Sequence, residues 1–230
     1  MRSRRKRNLD GQLALYGDLL TVWEPEEKNW ERALEIPAYV SLPELFGAFD
    51  ALELEIGCGR GAFLCELARR NPEKAFLGVD VNKNVLVEAC KKARNARLSN
   101  IRFWNCAAEL LPRYLPPNSV SKIYLNFSCP FPKAPYAKRR LTHPRFLESY
   151  TRFCVPGAPI CQRTDNRSFF DYSLEQYAAC GYETKAVTFD LHAKTPENHI
   201  MTEYESKFVS LGLPICYAEA RVPARKEEAL

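Results

Sequence analysis

An apolar pentapeptide that runs straight into a glycine-rich turn restricts the fold of this chain more than any other feature. Leu52–Ile56 has the composition of a buried strand, and the glycine-rich stretch Gly57–Gly61 follows it without a break. Beyond the glycines, Phe63, Leu64 and Leu67 recur at helical spacing. Strand, glycine turn and helix in this order predict a βαβ unit whose backbone lets a ligand approach closely at the glycines.

The alternation of strand and helix patterns continues to the end of the chain. Six further segments have strand composition: Ala75–Asp80, Ile101–Asn105, Val120–Phe127, Ala158–Thr164, Thr184–Leu191 and Ile215–Val222. Helical patterns separate most of them, so we predict an α/β fold with a mostly parallel seven-stranded sheet and helices on both faces. The last two strands are expected to close the sheet with an antiparallel edge strand.

The first 45 residues differ from the rest, being polar with scattered prolines and with Trp23 and Trp30. We expect residues 1–45 to form a basic N-terminal arm with short helices. Residues 46–230 are then the single α/β domain.

Positive charge is concentrated in two places, although the net charge of the 230-residue chain is only +5. The two clusters are Arg2, Arg4, Arg5, Lys6 and Arg7, and Lys133, Lys138, Arg139, Arg140 and Arg145. Two cationic clusters on a near-balanced body favour a polyanionic partner. A solvated face and a frayed terminus are the alternative.

Cysteine usage and hydropathy indicate a cytoplasmic protein. The nine cysteines contain no Cys-x-x-Cys spacing, which is typical of free thiols in a reducing compartment and gives no reason to expect a metal site. The basic start is not followed by an apolar segment, so we expect no signal peptide. No apolar stretch approaches membrane-spanning length, and we expect no membrane partner.

The glycine turn fits two ligand classes. Gly57-x-Gly59-x-x-Ala62, with Asp80 at the end of the next strand, matches the dinucleotide pattern, so a nicotinamide or flavin site is a competitor. Glu55 lies at the strand end just before the first glycine, where a carboxylate disfavours a pyrophosphate and suits a cationic ligand.

Glu-x-Gly-x-Gly-x-Gly, from Glu55 to Gly61, resembles the S-adenosylmethionine (SAM) loop of class I methyltransferases. The resemblance implies a Rossmann-like class I methyltransferase fold with SAM as cofactor. The residues implied to bind the cofactor are Glu55, Gly57, Gly59, Gly61, Asp80, Asn105, Ala107 and Cys129. Asp80 would hold the ribose hydroxyls, and the segment after Asn105 would flank the adenine. The alternative is that the glycines only turn the chain.

Four further segments, taken together, are similar to the bacterial tRNA (guanine-N7-)-methyltransferases. They are N-F-S-C-P-F-P-K at Asn126–Lys133, K-R-R-L-T at Lys138–Thr142, R-T-D-N at Arg163–Asn166 and N-H-I-M-T-E-Y-E at Asn198–Glu205. The start MRSRRKR is similar to the basic arm of that family. The resemblance implies methyl transfer from SAM to N7 of the guanine at position 46, in the variable loop of tRNA. It implies tRNA as partner and a monomer or homodimer, with no obligate protein partner.

The family resemblance also implies roles for individual residues. Asp165 would be the catalytic carboxylate and would accept hydrogen bonds from the guanine, together with Glu203 or Glu205. The full implied substrate-binding set is Lys133, Asp165, Thr202, Glu203, Tyr204, Glu205, Lys138, Arg139 and Arg140. Guanine N7 is a bare lone pair, so the site needs positioning rather than a strong base.

Each of these segments also has a purely structural interpretation. Asp165 or Asn166 is a good N-cap for the following helix. Tyr204 could belong to the core, with the glutamates on solvated faces. Lys138–Arg140 could be a solvated cationic surface.

The chain departs from the family at several positions. Cys129 stands where relatives have an aspartate beside the cofactor and the reacting centre, and Phe131 replaces a tryptophan. Pro135-Tyr136 replaces an arginine-histidine pair, and Ala107 stands where relatives often carry an acid.

Several interpretations of Cys129 remain open. The aspartate is dispensable, or Asp165 takes over its work, or the chain is a tRNA-binding protein with a vestigial SAM pocket. A different class I RNA- or amino-methyltransferase is a further alternative, because Cys-Pro-Phe-Pro is loosely similar to the Asp-Pro-Pro-Tyr motif. A nucleophilic Cys129 needs a base, and no motif links His143, His192 or His199 to it.

Overall fold

The computed structural model describes residues 8–23, 34–194 and 198–224. The basic segment Arg2–Arg7 and Trp30 lie outside the described residues. The chain forms two compact units, Met1–Tyr114 and Leu115–Leu230, which we call the first and second units. The boundary expected between residues 45 and 46 stays a prediction.

The first unit is a layer of parallel strands with helices between them. Its helices are Leu9–Ala14 (α1), Leu42–Phe46 (α2), Ala62–Arg70 (α3), Lys83–Asn95 (α4) and Leu111–Tyr114 (α5), with a 3₁₀ turn at Ala108–Leu110. Its strands are Leu20–Val22 (β1), Leu52–Ile56 (β2), Ala75–Asp80 (β3) and Ile101–Asn105 (β4). The strand order is β1-β4-β3-β2, and every pairing is parallel.

Strand β1 was not predicted from the sequence. It pairs Leu20 with Phe103 and Val22 with Asn105, inside the segment interpreted as an arm. Three residues are too short for a periodicity signal, so the pairing became visible only in the fold. With β1, the described residues contain eight strands rather than the expected seven.

The second unit combines parallel and antiparallel strands. Its strands are Lys122–Asn126 (β5), Pro159–Thr164 (β6), Glu183–Thr188 (β7) and Cys216–Arg221 (β8). Its helices are Pro144–Tyr150 (α6), Arg167–Ala179 (α7) and Glu203–Ser210 (α8), with 3₁₀ turns at Ala134–Arg139 and Leu191–Lys194. The order is β5-β6-β8-β7, and β8 is antiparallel to both neighbours, which confirms the antiparallel pairing expected at the end of the chain.

Apolar side chains of α3 and α4 cover the strands of the first unit. Leu64 of α3 and Leu86 of α4 are fully buried in one cluster with Phe76 and Phe103. Strand β3 is buried along nearly its whole length, as expected for a parallel strand covered on both faces.

The core of the second unit contains a satisfied polar network. Ser173 Oγ hydrogen-bonds Thr142 and Gln162 at 2.9 Å each, and donates to the Phe169 carbonyl at 2.8 Å. The hydroxyl of Tyr177 donates to the other end of Gln162 at 3.2 Å. Because each buried group has a partner, the hydrogen bonds offset the cost of desolvation and the network fixes α7 against β6.

Helices α4 and α7 have 13 residues each. None of the helices among the described residues is both long and apolar enough to cross a membrane.

A substitution at Gly78 tests how closely β3 is packed against its neighbours. A Cβ at this position would lie 2.7 Å from Phe103 Cδ1 and 2.9 Å from Cys58 Sγ. We expect Gly78→Ala to lower the free energy of unfolding by about 1–3 kcal/mol through overpacking. Thermal denaturation followed by circular dichroism measures the loss.

The matched control is Gly17→Ala. A Cβ at Gly17 would meet only the Ala14 carbonyl, at 3.9 Å. We expect this variant to be neutral or stabilised by about 0.4–1 kcal/mol. Equal melting temperatures for the two variants would contradict the close packing at Gly78.

Candidate functional site

The loop after β2 takes a conformation that requires its glycines. Gly57, Gly59 and Gly61 have φ angles of 82°, 54° and 68°. In this region an L side chain is strained, so glycine is needed at each position. Nothing lies within 4 Å of a Cβ built on Gly57 or Gly59, whereas one on Gly61 would lie 2.7 Å from Ala89 Cβ. The first two glycines therefore present open backbone, and the third lets α3 pack closely on α4.

Asp80 ties the end of β3 to this glycine loop. Its carboxylate accepts hydrogen bonds from the Gly59 amide at 3.0 Å and the Asn82 amide at 2.8 Å. Burial raises the pKa of Asp80, and the amides of Asn82, Gly59 and Val81 oppose that shift. A carboxylate has about four acceptor positions, so Asp80 can still accept from the hydroxyls of a ligand.

The other cofactor residues expected in the first unit have different surroundings. Glu55 is only 3% exposed at the end of β2. Asn105 is also buried, and its amide donates to the Asp80 carbonyl at 3.0 Å, so it joins the ends of β3 and β4. Ala107 is half-buried just before the 3₁₀ turn. Burial and the charge of Glu55 raise the pKa of the Cys58 thiol well above its usual value, so this thiol is inert.

Val81 was missed by the sequence reasoning. It follows Asp80 directly and is 72% exposed, which is unusual for a valine beside a buried strand. The sequence does contain a signal for this residue, because an apolar side chain directly follows the acid at the strand end. Such a side chain can contact the apolar face of a ligand whose hydroxyls the acid binds. A strand-end carboxylate and an exposed apolar side chain fit the nucleoside end of SAM.

In the second unit, the loop after β5 is bounded by two residues in an unfavourable backbone conformation. Phe127 has a φ of 52° and Phe131 a φ of 40°. A bulky residue with positive φ costs free energy and persists where the surroundings hold it, often at functional sites. Arg140 holds this loop, because its guanidinium donates to the carbonyls of Pro130 at 3.0 Å and Phe131 at 3.1 Å.

Cys129 lies exposed in the middle of this loop. The three histidines make other contacts: His143 Nδ1 accepts from the Arg145 amide at 3.3 Å, and His192 and His199 pair with Glu205. These contacts offer no general base to a nucleophilic Cys129.

The three residues of the Thr-Asp-Asn segment have different contacts. Asn166 is the N-cap of α7 and accepts from the Phe169 amide at 2.8 Å. Thr164 Oγ1 accepts from the Asn166 amide at 3.1 Å. Asp165 between them is exposed, and the contacts found in the described parts of the chain give it no hydrogen-bond partner. The capping role belongs to Asn166, and the carboxylate of Asp165 is available to a ligand.

The Thr-Glu-Tyr-Glu segment is divided in the same way. Thr202 and Glu205 form a capping box at the start of α8 and are both buried. Glu205 is also paired with Arg163 at 3.3 Å, so it faces the interior and not an incoming base. Glu203 and Tyr204 between them are exposed.

The position of Tyr204 contradicts the interpretation that it belongs to the core. Its side chain is 62% exposed, and its ring stacks on Phe127 with centroids 6.0 Å apart. Phe127 stacks in turn on Phe208 at 5.7 Å. An exposed ring on an aromatic support is a stacking platform of the kind that binds nucleobases.

The cationic residues after the β5 loop fall into two groups. Lys133, Lys138 and Arg139 are exposed, and the guanidinium of Arg139 lies 4.9 Å from the ring centroid of Tyr136. Arg140 is half-buried by its bonds to the loop and lies 4.3 Å from the ring centroid of Tyr172. The exposed group is available to phosphates, whereas Arg140 is a structural residue of the loop.

Ser128 was also missed by the sequence reasoning. Its hydroxyl is buried next to Cys129 and has no hydrogen-bond partner among the described residues. No sequence pattern singles out a serine at this position, because its burial depends on the bend that Phe127 introduces.

Comparison with known proteins identifies the relatives of this chain. A family described as putative methyltransferase matches residues 50–218. A "tRNA (guanine-N(7)-)-methyltransferase" of Bacillus subtilis is 39% identical over 175 residues, which are 76% of this chain and 82% of that protein. A protein of the same name from Lachnoclostridium phytofermentans is 42% identical over 173 residues, 75% of this chain and 81% of that protein. One from Listeria monocytogenes is 39% identical over 207 residues, 85% of this chain and 97% of that protein.

Solved structures confirm the Rossmann-like methyltransferase fold. The 16S rRNA methyltransferase KamB matches with a TM-score of 0.59 at 17% identity, over 78% of this chain and 91% of that one. A geranyl diphosphate C-methyltransferase from Streptomyces coelicolor, bound to S-adenosyl-L-homocysteine, matches with a TM-score of 0.53 at 18% identity. That match covers 79% of this chain and 73% of the other.

The different contacts of Asn166 and Asp165 predict different effects of their substitution on protein stability. Asn166→Ala removes the cap of α7, and we expect it to lower the free energy of unfolding by about 1 kcal/mol. Asp165→Ala removes an exposed side chain and should change stability by less than about 0.5 kcal/mol. Urea unfolding curves of the two variants measure the difference, and a larger loss in Asp165→Ala would show that Asp165 is the structural residue.

Proposed function

Because this chain belongs to the tRNA (guanine-N7-)-methyltransferase family, we propose that it transfers the methyl group of SAM to N7 of guanine 46 in the variable loop of tRNA. One observation supports this most directly. Asp165 is an exposed carboxylate at the end of β6 whose neighbours Thr164 and Asn166 carry the local structure. The Asp165 carboxylate is thus a hydrogen-bond acceptor on a fixed backbone, in a segment similar to the family's Thr-Asp-Asn. Such an acceptor suits recognition of the N–H groups on the edge of a guanine.

The first unit holds SAM, whose sulfonium supplies an electrophilic methyl group. The open backbone at Gly57 and Gly59 receives the amino-acid end of the cofactor, and Glu55 supplies negative charge at the strand end. Asp80 accepts from the ribose hydroxyls. Asn105 and Ala107 shape the adenine side, where Val81 provides apolar surface.

The second unit binds the guanine. Asp165 and the exposed Glu203 accept hydrogen bonds from N1–H and the exocyclic amine, which leaves N7 on the opposite edge of the base uncovered. Tyr204 offers a ring on which a base can stack. N7 attacks with its own lone pair, so no residue has to remove a proton. The methylated base is cationic, and the same carboxylates favour the charge that develops.

Exposed cations of the second unit contact the tRNA backbone. Lys133, Lys138 and Arg139 are placed for this, and Arg2–Arg7 outside the described residues adds a second cationic segment. Arg140 contributes indirectly by holding the loop that carries Cys129. Thr202 and Glu205 contribute indirectly by fixing the start of α8.

Cys129 in place of the family's aspartate removes a proton acceptor that the reaction does not need, since guanine N7 carries no proton. We place the protein in the cytoplasm with its tRNA substrate, as a monomer or homodimer without an obligate protein partner.

The decisive experiment is methylation of unmodified tRNA with SAM, followed by nucleoside mass spectrometry. We expect 7-methylguanosine with the wild-type chain and at least about a 100-fold lower rate with Asp165→Ala, since loss of a positioned polar group at a reacting centre costs this much. Asp171→Ala is the matched control, because Asp171 is paired with Arg167 on the surface of α7. It should retain the wild-type rate.

Three results would contradict the proposal. SAM and tRNA binding without any product would leave a tRNA-binding protein with a vestigial cofactor site. A methylated adenine or another methylated base would indicate a different class I methyltransferase. Equal rates for the Asp165 and Asp171 variants would remove Asp165 from the site.

The role of Cys129 has its own test. If the thiol is not a nucleophile, Cys129→Ala should keep the rate within about threefold of wild type, whereas loss of a true nucleophile costs several orders of magnitude. Cys180→Ala, at a half-buried thiol, is the control for cysteine removal in general. Single-turnover kinetics with saturating SAM measure both, and a collapse in Cys129→Ala alone would establish covalent catalysis.

A further inference from the structure

Two histidines and a glutamate of the second unit converge on one point. His192 Nε2 lies 2.9 Å from Glu205 Oε1, and His199 Nε2 lies 2.5 Å from the same oxygen. One ligand atom from each of the three side chains lies within 4.8 Å of the other two. His192 lies in the 3₁₀ turn Leu191–Lys194, and Glu205 lies in the first turn of α8, so the cluster joins separate elements.

The cluster lies in a largely dry part of the unit. The Glu205 side chain is 0% exposed, that of His199 is 7% exposed and that of His192 is 21% exposed. His192 Nε2 is fully covered, and it makes no well-directed hydrogen bond to any residue in the described ranges, despite its closeness to Oε1. A covered imidazole nitrogen without a hydrogen bond is costly unless it has another partner.

The other carboxylate oxygen of Glu205 is held from outside the cluster. Oε2 is paired with Arg163 Nη1 at 3.3 Å and accepts from the Thr202 amide at 3.2 Å. Arg163 also donates to the Ile200 carbonyl at 2.8 Å, so its guanidinium is fixed. These contacts leave Oε1 pointing at the imidazoles and set the carboxylate for binding through one oxygen, as outer contacts do around metal ligands.

We propose that His192 Nε2, His199 Nε2 and Glu205 Oε1 bind a divalent transition metal, best Zn²⁺, with one coordination position left to water. Two imidazoles and a carboxylate are a ligand set of zinc, whereas Ca²⁺ and Mg²⁺ prefer oxygen ligands throughout. Metal–ligand bonds of about 2.0–2.2 Å require the two nitrogens to draw back from Oε1 by less than about 1 Å. The positive charge of Arg163 lowers the affinity without blocking the site.

A bound metal ion would cross-link His192 and His199 to Glu205. The chain between them leads into α8, whose first residues Glu203 and Tyr204 are exposed. A bound ion would therefore fix the start of α8 more firmly than the capping box alone. The inference does not depend on methyl transfer, since metal binding is measured without SAM or tRNA.

The test uses the full chain, freed of metal with a chelator and dialysed. Titration with ZnCl₂ by calorimetry should show one ion bound per chain, and Co²⁺ should give the visible absorption bands of a four-coordinate site. We expect His192→Asn and His199→Asn to weaken Zn²⁺ binding more than about 100-fold, since even outer contacts of metal ligands are worth 10–100-fold. Glu205→Gln keeps the shape of the capping side chain and should also weaken binding.

His143→Asn is the matched control. His143 is the third histidine of the chain and the N-cap of α6, and asparagine is a good N-cap, so the fold is retained. This variant should bind Zn²⁺ as the wild type does, and Zn²⁺ should raise the melting temperature of both but not of His192→Asn. His192→Asn is the most informative variant, because His192 is the most exposed of the three ligands and its loss is the least disruptive.

Two results would overturn the proposal. The first is an absence of Zn²⁺ and Co²⁺ binding, which would make the cluster a hydrogen-bonded network only. The second is binding that is equal in wild type and in the His192→Asn, His199→Asn double variant, which would show that the metal binds elsewhere on the chain.

Discussion

Parallel pairing of β2 with β3 is the constraint on which the first unit depends. The register places Glu55 opposite Gly78 and Ile56 opposite Val79, so both strands end at the same level. The amides of Gly57 and Cys58 then reach the Val79 carbonyl at 2.8 and 3.1 Å, and the Asp80 carboxylate reaches the Gly59 amide at 3.0 Å. The glycine loop is therefore fixed by the adjacent strand, at the carboxyl end of the sheet.

The second unit combines buried structural residues with exposed ones within single short segments. Thr164 and Asn166 hold the turn before α7 and leave Asp165 exposed. Thr202 and Glu205 hold the start of α8 in the same way and leave the two residues between them exposed. Because the buried members fix the backbone, the exposed members gain positions that loops alone would not provide.

In the loop after β5, surrounding contacts also fix the backbone, here in a strained conformation. Phe127 and Phe131 take positive φ angles, which the carbonyl contacts of Arg140 help to maintain. Phe127 in turn supports Tyr204 by stacking, so the conformation of one loop sets the exposure of an aromatic ring on another element.

The sequence alone was sufficient for the α/β class, the glycine loop with Asp80 and the family, because these depend on local patterns. Buried strands, helical spacing and turn glycines are set by neighbouring residues in the chain. The sequence also predicted a set of substrate residues without separating those that are exposed from those that hold the fold.

Only the tertiary structure made that separation. Burial of Glu205, exposure of Tyr204 and the bonds of Arg140 to the loop depend on contacts between residues far apart in sequence. The three-residue strand β1 and the convergence of His192 and His199 on Glu205 also depend on how separate elements pack. Periodicity carries no information about such contacts, since it reports which face of one element is apolar and not what another element brings to it.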